Sequence, residues 1–219
     1  MLVAGVDDAG RGPVLGPLVI AGVLVEEEAL SNLVNLGVKD SKLLSPKRRE
    51  QLAQEIFKIA KKYHIVKLSP AEIDIAVETG TKLNRLNRLE AKAMAEVIRN
   101  LKPDIVYVDA SDILAERFKQ HIAEKVPFNV QIISEHKADR KYPIVSAASI
   151  IAKVERDRAV AELRKTYGDL GSGYITDPKT LRFLEEWIKK HGSYPEFVRK
   201  SWKPAKKLKD KYAKFKREV

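Results

Sequence analysis

The apolar runs at 2–8 (LVAGVDD) and 17–25 (PLVIAGVLV) are separated only by the turn GRGPVLG, and this closeness restricts the fold more than any other feature. Short apolar runs bounded by Gly and Pro read as strands, and a connection this brief allows a hairpin but not a crossover. The turn is not a dinucleotide loop. After Gly10-x-Gly12 the third glycine of that motif would stand at Leu15, Gly16 comes one residue late, and Pro13 intervenes. A second strand then follows where the motif needs a helix.

Helices and strands alternate from there on. Residues 26–36 read as a short helix, and GVKDSKLLS as a loop before the Ser45-Pro46 helix start. The 46–62 helix places Leu52, Ile56 and Ile59 on one face, and 63–68 reads as a third strand. Ser69-Pro70 with Glu72 opens another helix, and 81–101 is a long one. DIVYVDAS, from residue 104, is a fourth strand, followed by a helix over 112–124 and a fifth strand over 128–134. EHKADRKYP is a polar loop, 143–166 a helix with a small-residue face, and 178–190 a further helix before the basic tail. Three strands close together, then two reached through helices, predict an α/β fold with a five-stranded mixed sheet. The first three strands are expected antiparallel; strands 4 and 5, each entered by a crossover, are expected parallel.

Composition narrows the function classes. The chain's 219 residues, 44% hydrophobic, suit one domain with a C-terminal extension. No apolar run is long enough to span a bilayer, and the first strand lacks a secretory signal's basic start, so a cytoplasmic protein is expected. The lack of cysteine excludes disulfides and thiolate metal sites, and with 32% charged residues it fits a thermophile. The net charge is +11, and residues 199–219 hold ten Lys/Arg against Asp210 and Glu218, which is +8 of it. A basic helix with Tyr212 and Phe215 interleaved fits a phosphate backbone, although a solvated amphipathic helix would look the same.

Asp7, Asp8, Asp109 and Asp139 all stand at or just beyond predicted strand ends, with Asp8 expected on the bend. If strands 1 and 4 lie parallel and adjacent, Asp7 and Asp109 meet at one edge, and Asp139 can reach the same spot. Such carboxylates repel unless a cation sits among them. Mg²⁺ takes hard oxygen ligands, and two ions about 4 Å apart can activate water and stabilise a leaving oxygen. Taken one at a time, each acid reads equally well as a turn residue. There is no G-x-S-x-G elbow and no H-E-x-x-H spacing; His64, His121 and His191 read as structural, and His136, three positions before Asp139, as a possible helper in proton transfer or phosphate contact.

Six ordered blocks, GVDDAGRGPVLGPLVIAGV, KDSKLLS, YVDA, EHKAD, YPIVSAASIIAKVERDR and GSGYITDP, resemble ribonuclease HII of the archaeal type across residues 2–202. The resemblance implies a ribonuclease H-like fold, with a catalytic core over 1–168 and a substrate-binding loop plus basic helical extension over 169–219. It implies hydrolysis 5′ to a ribonucleotide in RNA/DNA hybrids and at single ribonucleotides embedded in DNA, leaving 5′-phosphate and 3′-hydroxyl ends. Ribonucleotide repair and primer removal in replication are the expected settings. Asp7, Asp8, Asp109 and Asp139 match the family's ligands for two Mg²⁺ or Mn²⁺ ions. Gly10, Arg11 and Gly12 match its loop on the ribose 2′-hydroxyl, and Tyr174 its tyrosine on the adjacent deoxyribose. Lys42 and Ser146 match contacts to the phosphate backbone. Asp8 departs from the family's usual Glu, and the shorter side chain is expected to lower activity or shift metal preference. Many relatives end in a Gln- and Phe-containing segment that docks on the sliding clamp; the KFKREV ending has none, so clamp binding is doubtful on the sequence. A monomer is expected. Two rivals stay open at this point: a same-fold DNA junction nuclease or strand transferase, and a non-catalytic basic nucleic-acid-binding module.

Overall fold

A computed structural model describes residues 1–38, 44–79 and 85–215. The elements run β1 (Leu2–Ala9), β2 (Leu18–Glu26), a 3-10 turn (Glu27–Ala29), α1 (Leu30–Asn35), α2 (Pro46–Ile59), β3 (Lys62–Leu68), α3 (Pro70–Thr79), α4 (Arg85–Leu101) and β4 (Ile105–Asp109). They continue with α5 (Ala115–Ala123), β5 (Gln131–Glu135), α6 (Ala138–Lys141), α7 (Pro143–Tyr167), α8 (Pro178–His191) and α9 (Lys203–Phe215). The five strands make one sheet in the order β3-β2-β1-β4-β5. β1 pairs antiparallel with β2 across their short turn and parallel with β4, and β4 pairs parallel with β5 through a helical crossover. Among the described residues no helix is long and apolar enough to cross a membrane.

The helix starts carry their own signals. Ser45 accepts a bond from the Arg48 N–H ahead of Pro46. Ser69 and Glu72 exchange bonds as a capping box: the Glu72 N–H donates to Ser69 Oγ, and the Ser69 N–H donates to Glu72 Oε2. Asp177 caps α8 through the Lys179 N–H. Two expectations change. EHKADRKYP is not all loop, because Ala138–Lys141 closes a single helical turn holding Asp139. Asp8 is not on a bend; β1 continues to Ala9, with Asp8 opposite Ile20 in the ladder.

The chain forms two compact units. The first comprises residues 1–9, 19–67 and 82–155. In it Val19, Ala21, Val23 and Val25 of β2 pack with Leu52, Ala53 and Ile56 of α2 and with Ala147, Ala148 and Ile151 of α7. These β2 residues alternate, so they share one sheet face. On the opposite face Gly22 lies beneath Val97 and Leu101 of α4. The second unit comprises residues 10–18, 68–81 and 156–219. Its core joins Val14 and Leu15 to Leu170, Leu184, Ile188, Phe197, Val198 and Leu208. This unit is assembled from three separated stretches, which no single boundary along the chain expresses.

Candidate active site

Strand alternation and register place the carboxylates of the first unit. β1 and β4 run in register from Val3↔Ile105 to Val6↔Val108. One residue further on, the same register sets Asp7 against Asp109. Gly5, Asp7 and Ala9 point to the α7 face of the sheet, and Gly5 lies directly against the backbone of Ile144 and Val145. Without a side chain at position 5 the start of α7 settles onto β1, two residues from Asp7.

Asp7 is buried, and burial pushes its carboxyl well above the ordinary value of 3.8. The charges of Asp8 and Asp109 push it the same way, while the Lys153 ammonium and a hydrogen bond from Ser149 oppose them. Asp7 Oδ1 accepts the Asp8 N–H at 2.7 Å, and Asp8 Oδ1 accepts from Ser111 Oγ at 3.1 Å. Asp109 Oδ1 accepts the Ala138 N–H at 2.7 Å, which ties it to the residue just before Asp139. Asp139 is buried, and its carbonyl accepts from the buried Ser146 hydroxyl. Among the described residues no three His, Asp or Glu side chains are drawn tightly enough to make a finished metal cage. The donor set fits a hard divalent cation in kind: oxygen-only ligands whose mutual repulsion already disfavours the charged form of Asp7.

The structure therefore brings Asp7, Asp8 and Asp109 into electrostatic contact and links Asp139 to them through the backbone of α6. Ser146 spends its hydroxyl on the Asp139 carbonyl. His136 is exposed, with Nε2 3.2 Å from the Ile113 carbonyl. Lys42 lies outside the described residues. Sequence reasoning missed Ser149 and Lys153, whose side chains bond one another and both act on Asp7. The available signal was their i,i+4 spacing in the otherwise apolar run SIIAK, which puts two polar groups on one helix face.

In the second unit, the loop that starts at Gly10 needs its glycines for different reasons. Gly10 has φ +92°, and a Cβ there would meet the Pro17 carbonyl at 2.7 Å. At Gly12 a Cβ would meet the Tyr174 ring at 3.2 Å, so loop and tyrosine sit edge to edge. The Arg156 guanidinium lies 5.9 Å from the Tyr174 ring centroid and donates to the Ser172 carbonyl at 2.8 Å. Tyr174 stays 45% exposed, which leaves much of its surface open to a ligand. Arg199 differs from the reading of 199–219 as one basic surface, because it is completely buried.

The family model for Ribonuclease HII matches residues 4–205. Ribonuclease HII of Thermococcus sibiricus is 50% identical over 220 residues, which is 100% of this chain and 96% of the relative. The crystal structure of ribonuclease H2 from Pyrococcus horikoshii aligns with TM-score 0.90 at 44% identity, covering 98% of this chain and 100% of that one. The PCNA:RNase HII complex from Archaeoglobus fulgidus aligns with TM-score 0.84 at 46% identity, over 94% of this chain and 96% of that one. Carboxylates gathered at the ends of parallel strands, on a fold shared over nearly the whole length, lead to one conclusion: this chain belongs to the ribonuclease HII family and is an endoribonuclease acting on RNA/DNA hybrids.

Proposed function

We propose that this enzyme, acting as a monomer, hydrolyses the phosphodiester 5′ to a ribonucleotide, in hybrids and at single ribonucleotides within duplex DNA, leaving 5′-phosphate and 3′-hydroxyl ends. Asp7, Asp8, Asp109 and Asp139 would hold divalent cations, Mg²⁺ or Mn²⁺. Bound there, the cations would neutralise the carboxylates, lower the pKa of water and stabilise developing charge on oxygen. The observation that carries this reading is the electrostatic crowding of Asp7 by Asp8 and Asp109, three carboxylates that the Lys153 ammonium offsets only in part. Asp109 and Asp139 are oriented through α6, while Ser149 and Lys153 hold Asp7 from the helix side.

Gly10, Arg11 and Gly12 would approach the ribose 2′-hydroxyl, the group that separates RNA from DNA, and Tyr174 would pack on the neighbouring sugar. Lys42 and the lysines of α9 would meet the phosphate backbone, so binding should weaken steeply with salt. The A. fulgidus relative was solved with PCNA, and on that basis we extend sliding-clamp association to this chain. Co-elution with a clamp tests that part.

The central test uses labelled duplexes holding one ribonucleotide or none, with Mg²⁺ or Mn²⁺, beside Asp109→Asn. Cleavage of the ribonucleotide duplex alone, lost in the variant, is the expected result. Cutting of the all-DNA duplex would point instead to a junction nuclease. Tight binding with no cleavage under either metal would leave only a binding module.

A further inference from the structure

A buried arginine is costly, because its charge gives up water and a neutral form is out of reach. Arg199 is completely buried, and its hydrogen bonds run to carbonyls of the glycine loop within its own unit. Nη2 donates to Gly10 O at 2.5 Å, Nη1 to Arg11 O at 2.9 Å, and Nε and Nη2 to Gly16 O at 3.2 and 3.1 Å. The Arg199 N–H donates to Val14 O at 2.9 Å, and Trp202 Nε1, next to the guanidinium, donates to Gly12 O at 3.3 Å. The 200–201 backbone is fixed in turn by Asp74, which accepts both N–H groups at 2.9 Å.

We infer that Arg199 is the positioning residue that gives the Gly10–Gly12 loop its selectivity for a ribonucleotide. The physical route is the peptide plane. In a trans peptide the carbonyl of one residue and the N–H of the next point in opposite directions. Holding Gly10 O therefore aims the Arg11 N–H away from the guanidinium, and holding Arg11 O does the same for the Gly12 N–H. Meanwhile the Val14, Leu15 and Gly16 N–H groups turn to the Gly173 and Phe197 carbonyls. The Gly12 N–H so aimed belongs to an exposed residue. A carbonyl that accepts from a cation also polarises its own peptide, which strengthens the N–H at the other end. One planar fork reaches three carbonyls at once; a lysine ammonium is a point charge on a flexible stem and cannot reproduce that spread.

The inference rests on the proposed reading of the loop as the ribose contact, and the test keeps the two apart. Fluorescence anisotropy in EDTA would give Kd for a duplex with one ribonucleotide and for the same all-DNA duplex; kcat and KM on the first follow in Mg²⁺. Arg199→Gln should lower the ribonucleotide preference about tenfold, the equivalent of one lost hydrogen bond. Arg199→Lys should recover only part of it, with the all-DNA Kd unchanged in both. Leu184→Ala, in the core of the same unit, should lower Tm and leave the preference intact. Should both Arg199 variants fail to fold, Trp202→Phe decides, since it removes the donor to Gly12 O and trims the ring beside the guanidinium while leaving Arg199 in place; a reduced preference supports the inference, an unchanged one overturns it. The inference also falls if folded Arg199 variants keep the wild-type preference while Gly12→Ala loses it, or if Leu184→Ala loses as much as they do. If Gly12→Ala keeps the preference, the reading of the loop itself has failed, and the role of Arg199 falls with it.

Discussion

Gly5 is the position where a single methyl group tests how the carboxylate cluster is held. A Cβ on Gly5 would sit 2.3 Å from Ile144 O, 2.4 Å from Ile144 C and 2.6 Å from Val145 N, all backbone atoms of α7. Ordinary contact begins near 3.4 Å, so β1 and the start of α7 must part by about 1 Å. Overpacking of this kind destabilises by about 1–3 kcal/mol, and in a chain of this size each kcal/mol lowers Tm by about 2–4 °C. The larger consequence is local. Asp7 lies two residues along β1, and its partners Ser149 and Lys153 ride on α7. A misplacement of about 1 Å at reacting groups can lower a rate about 10²-fold. Gly22→Ala is the matched comparison: its Cβ would also meet an atom at 2.3 Å, but that atom is Val97 Cγ1, with Leu101 Cδ1 next at 2.9 Å. Side-chain ends on the α4 face can give way without moving α7. Thermal unfolding with kcat on a single-ribonucleotide duplex should show both variants losing stability and only Gly5→Ala losing about two orders of magnitude in kcat. Full activity in Gly5→Ala, or an equal loss in Gly22→Ala, would refute the argument that α7 positions Asp7 through this contact.

Three further predictions concern the acids. Asp112 is buried and accepts from Arg117 and from the Leu114 N–H, which hold its carboxyl well below the ordinary 3.8. Its stabilisation is complete above pH 3.8 and is lost as pH falls toward the lowered value. Asp112→Asn should thus cost about 2 kcal/mol at neutral pH, discounted because Arg117 is partly exposed, and the gap to wild type in urea unfolding should narrow in acid. Asp7 has the opposite sign. Its raised carboxyl stabilises the fold below pH 3.8 and loses that contribution as pH climbs through the folded-state value. In EDTA the Tm should therefore decline with rising pH, Asp7→Asn should flatten the decline, and Mg²⁺ should raise the Tm of wild type but not of the variant. Asp8→Glu restores the methylene usual in the family, and kcat should rise or the Mg²⁺/Mn²⁺ preference change; identical rates and metal dependence would sink that idea.

The strands, their pairing and the carboxylates were legible in the sequence because each rests on a local rule. Alternation, short Gly/Pro turns and connection length predict a hairpin followed by parallel crossovers; that β1 and β4 are neighbours, which sets Asp7 against Asp109, was a condition in the sequence reading and is met in the fold. The one-turn helix at Ala138–Lys141 escaped that reading, because four residues are too few to show a helical periodicity. Ser149 and Lys153 were visible only as a polar pair in the otherwise apolar run SIIAK, and Gly5 had to meet the backbone of α7 before its lack of a side chain gained meaning.

Arg199 marks the division most sharply. By sequence it is the first of a run of positive charges, and charge belongs in water unless something replaces that water. What replaces it is a set of carbonyls from residues 10–16, more than 180 positions away in the chain. Local chemistry decided which segments are strands and which acids end them. Only the folded chain, by bringing distant backbone oxygens around one guanidinium, decided that this arginine is an internal support and not a surface charge.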